Sequence, residues 1–344
     1  MKFRIYCFIV LCLTTLVING LSQSQDNPVF INLIVDMDLP PNSTPDQLQA
    51  TKTDLLAIFD ATTSSNIDWN LFVTKDTLLQ SRNFLAGVII AAPSERTIEV
   101  GVSELRNNLN EKLTDKSYQE QKALLEDAKI YAEACKICGV NEVEIKGFIP
   151  QLFDQNEDTY RALDDVGFEY NAGFQAGILY EPGHQADVWP YKVENHEFYA
   201  VPISTYVHSG DLVPLDDRYA EDNGISSTQW KDMLIGKFNE ISGKDEPMII
   251  SLSSSVSGKE DYLEALKEFT DFAISNGAQF VLTSDLVEMS RNGIHVAQEG
   301  SAEITQSDVT GMPSDCPECE AAKQSGNNST VSIDSNESEV VIDL

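Results

Sequence analysis

Histidine is scarce in this chain: 344 residues hold four, at positions 184, 196, 208 and 295, and no two of them form an HxxxH pair. Basic residues are also few, 23 Lys and Arg against 55 Asp and Glu, for a formal net charge of -32. That balance excludes nucleic acid, whose phosphates would repel the protein, and anionic membrane surfaces. The excess serves solubility and is best tolerated where salt screens self-repulsion. No GxSxG elbow surrounds the serine triplet Ser253 to Ser255, which argues against a serine hydrolase. Gly173 and Gly177 are not followed by Lys-Ser or Lys-Thr, so no phosphate-cradling loop is present. After the first 20 residues no apolar run is long enough to span a bilayer, so no membrane span is expected once a leader is removed.

A leader is what the amino terminus offers. Lys2 and Arg4 precede the run IYCFIVLCLTTLVI and the small, polar stretch NGLSQSQ, the pattern of a signal peptide over residues 1–22, cut near Gly20 or Ser22. An uncleaved anchor is the competing reading, weakened because the run falls short of the roughly 20 residues a span needs. The expectation is therefore a secreted or cell-surface protein.

Two of the six cysteines, Cys7 and Cys12, leave with that leader. The others form CKIC (Cys135, Cys138) and CPEC (Cys316, Cys319). Paired CxxC motifs can build a zinc site, but in an exported chain disulfides, local or joining tail to body, are favoured over zinc. A redox role fits less well, because CKIC ends a helix instead of opening one. Residues 297–344 are acidic, rich in Ser, Asn and Gly and nearly free of aromatics, the composition of a disordered tail. Sequons at Asn327, Asn328 and Asn336 in this tail, and at Asn42 in the body, are candidate glycan acceptors.

Between leader and tail, strands and helices take turns. INLIVDMD reads as a strand, and TPDQLQATKTDLLAIFDATTS as a helix opened by Thr-Pro. IDWNLFVTKD, RTIEVGVS, VEIKGFIP, FEYNAGF, FYAVPIS, PMIISLSS and AQFVLTS supply further strands. LLQSRNFLAGVIIAA, SYQEQKALLEDAKIYAEACKICG, DTYRALDDVG, WKDMLIGKFNEIS and EDYLEALKEFTDFAISNG supply helices. This alternation calls for a parallel sheet or barrel, and the stretch 27–296 lies in the size range of one (β/α) barrel domain.

The order of segments resembles that of the polysaccharide deacetylase family, the NodB-like carbohydrate esterases, from about Val29 to Ser290. LIVDMD is similar to the family's first strand ending in acids, and NIDWNLFVTKD to its "TFFV" strand. TIEVGVSELRNNL stands where the family has "EIGNHTxxH". GFIPQLFDQNEDTYRALDDVGFEYNAG resembles its "GFRPPxG" stretch, and EPMIISLSSSVSGKEDYLEALKEFTDFAISNGAQFVLTSDLVEM its closing segment. Pro202 resembles a proline of the family's "vP" strand, where a strand-edge role suffices. The resemblance implies a distorted (β/α)7 barrel and, in active members, removal of N- or O-acetyl groups from glycans by a metal-bound water.

That chemistry needs one aspartate and two histidines on a divalent cation, a second aspartate as base, an arginine orienting it, and a late histidine as acid. Asp36 takes the place of the base, but Met37 stands where the metal aspartate belongs. Ser103 and Asn107 fall at the two metal histidines, Ile149 at the arginine, and Ser253 at the late histidine. A metal ion lowers the pKa of its water and polarises the carbonyl, which neutral hydroxyls and amides do not support. The usual activity is therefore expected to be weak or absent, with no confident cofactor.

Two other constellations compete with plain loss. Asp38, two residues beyond Asp36, could supply a second carboxylate, and Asp36 and Asp38 with His184 and Asp187 could hold zinc or a similar divalent metal in a relocated deacetylase site. The resemblance puts EPGHQADVWPYKVENHEFY among substrate loops at the barrel top. There His184, Asp187, Trp189 and Tyr191 could form a metal-free cleft for a glycan or cell-envelope polysaccharide, rings stacking and carboxylates accepting hydroxyl protons. The bland alternative makes His184 an exposed loop residue and Trp189 a cover. A scaffold binding partners through the tail is a third class of function.

Overall fold

The computed structural model describes residues 28–37, 39, 43–63, 65, 67–91, 97–103, 112–134 and 144–293. The leader, both CxxC motifs, the asparagines of all four sequons, Asp38, Asn107 and the tail lie outside these residues.

Strand β1, Phe30–Asp36, shows how the sequence builds the sheet. Its run is apolar apart from Asn32 and its terminal acid, as expected of a parallel strand covered on both faces. Phe30 and Ile34 point into one apolar cluster, while Ile31, Leu33 and Val35 point into another, the two-residue period of a strand. The remaining strands are β2 (Trp69–Val73), β3 (Ile98–Ser103), β4 (Gly147–Ile149), β5 (Tyr170–Gln175), β6 (Tyr191–Lys192), β7 (Tyr199–Ile203), β8 (Thr205–His208), β9 (Asp211–Pro214), β10 (Met248–Ser253) and β11 (Gln279–Phe280). Seven of them, in the order β10-β1-β2-β3-β4-β5-β7, form a continuous parallel sheet. β6 adds antiparallel to β7, and β11 pairs with the first residues of β1.

The sheet curls until its edge strands meet. Ser204 bridges them: its backbone N–H donates to the Ile249 carbonyl at 2.9 Å, and its Oγ accepts from the Ile249 N–H at 2.9 Å. Leu215 then donates to the Ser204 carbonyl at 2.7 Å and accepts from the Ser251 N–H at 3.0 Å. The result is the distorted (β/α)7 barrel expected from the sequence, closed by single bonds and not by a ladder.

Helices α1 (Pro45–Thr63), α2 (Lys75–Ala91), α3 (Tyr118–Ala134), α4 (Glu157–Val166), α5 (Asp217–Asp222), α6 (Ser227–Ile241), α7 (Ser254–Ser257), α8 (Glu260–Ser275) and α9 (Thr283–Arg291) complete the described residues. The starts are legible: Thr44 and Gln47 bond reciprocally across the first turn of α1, and Asn156 with Thr159 and Ser226 with Gln229 form capping boxes on α4 and α6. Most of the helices cover the outside of the sheet, burying the larger apolar cluster between the two layers. No helix among the described residues is long and apolar enough to cross a membrane.

Helix α9 differs in lying across the amino ends of the strands. Its Leu286 and Val287 enter the inner cluster with Ile34, Phe72, Tyr170 and Ile249. A buried polar network fastens its start: Thr283 donates its backbone N–H to Asn70 Oδ1 at 3.0 Å and its hydroxyl to Asn32 Oδ1 at 3.0 Å. Tyr170 and Ser284 both donate hydroxyls to the carboxylate of Glu99, whose pKa is raised by burial. This plug leaves the opposite, carboxyl end as the barrel's mouth. AQFVLTS, expected to be a full strand, pairs only through Gln279 and Phe280, because the polar network draws Thr283 into a helix start.

Candidate functional site

The mouth is where the strand ends bring distant residues side by side. Asp36 ends β1 and lies in register with Ser253, the last residue of β10. Ser103 ends β3 and lies in register with Ile149, the last residue of β4. Four positions singled out from the sequence thus terminate four parallel strands. Alternation points them inward: Val102 belongs to the outer cluster, so Ser103 faces in, and Ile149 belongs to the inner one. Met37 points the other way, fully buried in the outer cluster.

Around Asp36 the structure adds residues that sequence reasoning missed. Arg218, on α5, places Nη2 3.8 Å from Asp36 Oδ2 and donates to Ser253 Oγ at 3.2 Å. Asp36 and Arg218 side chains keep 15% and 25% of their surface, so both reach the mouth. Ser253 Oγ also lies 2.8 Å from Ser255 Oγ. Beneath them Asp217 is fully buried, its two oxygens accepting the Ser253 N–H at 2.8 and 2.9 Å and one accepting the Ser257 N–H at 3.1 Å. Burial, reinforced by the neighbouring Asp216 carboxylate, pushes the Asp217 pKa up to about 8. Asp216 is itself raised by burial, though it caps α5 by accepting the Tyr219 N–H at 2.7 Å. The signal for this group was the string LDDRY after a strand, which resembles any helix start.

The divalent cation implied by the family resemblance does not fit the described residues. Asp36 is the one carboxylate among the four strand-end positions; its companions are two hydroxyls and an isoleucine, and a guanidinium sits beside it. Hydroxyl oxygens and a positive neighbour are poor surroundings for a metal ion. Among the described residues, no three His, Cys, Asp or Glu side chains are grouped to hold one. Asp36, His184 and Asp187 therefore do not share a cation.

The segment with His184 lies elsewhere than expected. Trp189 packs edge-on against Phe30, the first residue of β1, with centroids 6.4 Å apart, and its indole N–H donates to the Asp245 carbonyl at 2.9 Å, before β10 begins. Both neighbours mark the amino end of the barrel, across the strand length from Asp36. The physical reason is the crossover: β5 and β7 are parallel, so the chain between them must return to the amino end, and Trp189 falls on that return. Tyr191 pairs with Ala200 at the start of β7 and packs into the outer cluster. His184 stacks on Tyr191, ring centroids 4.0 Å apart, with Nδ1 2.6 Å from Asp187 Oδ2. His184 and His196 line an outer-wall cleft of about 590 Å³, and His196 Nδ1 lies 2.7 Å from Asp164 Oδ2. His184, Asp187, Trp189 and Tyr191 thus lie on the wall and floor of the barrel and not beside Asp36 at the mouth.

A curled parallel sheet with its candidate site at the carboxyl ends of the strands defines a (β/α) barrel scaffold. Its particular form is similar to that of solved structures named as polysaccharide deacetylases. A protein of Mycobacterium smegmatis named as a polysaccharide deacetylase superimposes with a TM-score of 0.57 and 15% identity, over 79% of this chain and 93% of that one. A Pseudomonas aeruginosa PAO1 protein named likewise gives 0.59 and 11%, over 78% and 93%. Puue allantoinase gives 0.61 and 11%, over 80% and 94%. No family model matches the sequence, and no curated protein does. One fold thus carries both glycan and non-glycan names, so function has to come from the site.

Proposed function

We propose that this chain is a secreted protein of the polysaccharide deacetylase fold that recognises glycan at the barrel mouth, with little or no cation-dependent deacetylation. The observation that carries this reading is the Arg218–Asp36 pair, with Ser253 beside it, at the strand ends where the family resemblance expects a cation and its histidines. A carboxylate, a guanidinium and hydroxyls are suited to sugar hydroxyls, because together they offer donors and acceptors without needing a metal. The leader-like amino terminus supports export.

The test combines elemental analysis of the purified protein with acetate release from acetylated oligosaccharides before and after chelation. The expected result is a protein without stoichiometric metal, inactive in both conditions, yet retarded in glycan affinity gels. Stoichiometric metal with chelator-sensitive acetate release would establish the competing reading, an active deacetylase with a relocated site.

A further inference from the structure

The β8–β9 hairpin carries an apolar face that nothing among the described residues covers. Its turn residues, Ser209 and Gly210, have φ of 54° and 97°, the type I′ geometry that suits a two-residue loop. His208 and Asp211 close the turn as a hydrogen-bonded pair, so the next pair, Val207 with Leu212, is a non-hydrogen-bonded one. Their N–H and C=O groups therefore point outward, along the two edges of the ribbon. The side chains alternate as well: Tyr206 turns toward Gly236 of α6 and Val213 enters the outer cluster. Val207 and Leu212 turn the other way and stay 59% and 44% exposed. Leu212 lies over Gly177, where a Cβ would stand 3.1 Å from its Cδ2, and the next residue, Ile178, is 41% exposed.

Edges of this kind are usually guarded by lysine or proline against strand addition. Pro214 guards the end of β9, but β8 holds neither residue type, so its edge at Val207 is the open one. A second copy is a poor occupant: three side chains fall well short of the roughly 800 Å² per partner of a stable interface. Two chains of net charge -32 also repel each other. A tethered segment needs far less surface, because its effective concentration is of the order of mM. The chain itself supplies one. Residues 294–344 follow the last described residue, and their longest apolar run is VVI, within SEVVIDL at positions 338–344. Val340, Ile342 and Leu344 alternate there with Val341 and Asp343, and the β-branched residues favour a strand. As a flexible coil the stretch from Gly293 to Val340 spans about 40 Å, close to the width of a domain of this size.

We propose that residues 340–344 of this chain add to the β8 edge as a third strand, with Val340, Ile342 and Leu344 on the same side as Val207, Leu212 and Ile178. An acidic tail then meets an acidic body, so apolar burial holds the contact and salt strengthens it by screening the repulsion. A third strand also steadies a ribbon that two strands leave marginal. This docking does not depend on what the barrel mouth binds.

The experiment is hydrogen–deuterium exchange, read by mass spectrometry, on the full chain and on a chain ending at Glu339, both at low micromolar concentration. Hairpin amides should exchange about tenfold slower in the full chain, the factor given by a dissociation constant one tenth of the effective concentration. Ile342→Asp, outside the barrel, should match the truncation. Val207→Asp, at an exposed position that should leave the melting temperature nearly unchanged, should speed exchange at residues 340–344 by a similar factor. Raising salt from about 0.05 M to about 0.5 M should slow hairpin exchange further in the full chain. Equal hairpin exchange in the full and truncated chains would overturn the docking. Tail protection that survives Val207→Asp would overturn this edge as its place. Slowing that appears only as protein concentration rises would replace the tail by a second copy, and loss of protection with salt would overturn apolar burial as the force.

Discussion

Both oxygens of the Asp217 carboxylate lie within 2.9 Å of the Ser253 backbone nitrogen, tying α5 to the end of β10. The acid that fixes the mouth's geometry is thus one that burial and Asp216 make reluctant to ionise, with a pKa of about 8. An unfolded aspartate titrates near 3.9. Between those values the folded chain binds more protons than the unfolded one, so stability falls as pH rises from about 4 to about 8. Thermal melts across this range should show that decline, and Asp217→Asn should flatten it. A wild-type melting temperature that rises steadily toward pH 8 would contradict the assignment.

A second prediction concerns the floor. Glu99 accepts hydroxyls from Tyr170, on the barrel wall, and Ser284, on α9. Replacing it by alanine strands the fully buried Tyr170 hydroxyl, costing about 1–3 kcal/mol for a lost acceptor in the interior. Glu99→Ala should therefore lower the urea midpoint and speed amide exchange at the start of α9. Wild-type exchange at Thr283 and Leu286 would show that the plug does not depend on this carboxylate.

Much of this architecture was readable from residue order, and the reasons are specific. β1, β2 and β10 are nearly continuous apolar runs because the parallel sheet is covered on both faces. Asp36, Ser103, Ile149 and Ser253 could be aligned with family positions because each ends such a run. Arg218 could not: it reaches Asp36 from a short helix whose place depends on the β8–β9 hairpin and on Leu215 inserting between Ser204 and Ser251. Periodicity carries no trace of those contacts. Trp189 was misplaced because a sequence shows that a loop is aromatic, not which end of the barrel it visits.

The corrected position of Trp189 yields a third prediction. Removing the ring empties the contact with Phe30 and the bond to Asp245. Trp189→Ala should cost about 3–5 kcal/mol, the usual range for a large buried aromatic, while Trp189→Phe should cost about 1 kcal/mol for the lost hydrogen bond. Affinity gels run well below the melting point should show glycan retardation unchanged by the phenylalanine. A Trp189→Phe protein that melts normally but no longer binds would return this residue to the site.

The last prediction probes how the barrel is filled. Gly101 faces inward on β3, and a Cβ there would stand 2.3 Å from Phe72 Cε1, closer than carbon atoms approach. The Phe72 ring has little room to yield: it is fully buried, meets Tyr170 edge-on at 78°, and shares the inner cluster with Ile34 and Ile249. Tyr170 is held in turn by Asn70 and Glu99. Gly101→Ala should therefore destabilise by about 1–3 kcal/mol, the cost of overpacking a filled interior. Phe72→Leu alone should also destabilise, by leaving space. In the double variant the new methyl occupies part of the volume the ring gave up, so the pair should be more stable than the sum of the single effects. A double-mutant cycle by denaturant unfolding measures that coupling directly. Strict additivity would mean that Gly101 and Phe72 do not compete for the same space, and that the inner layer is packed differently.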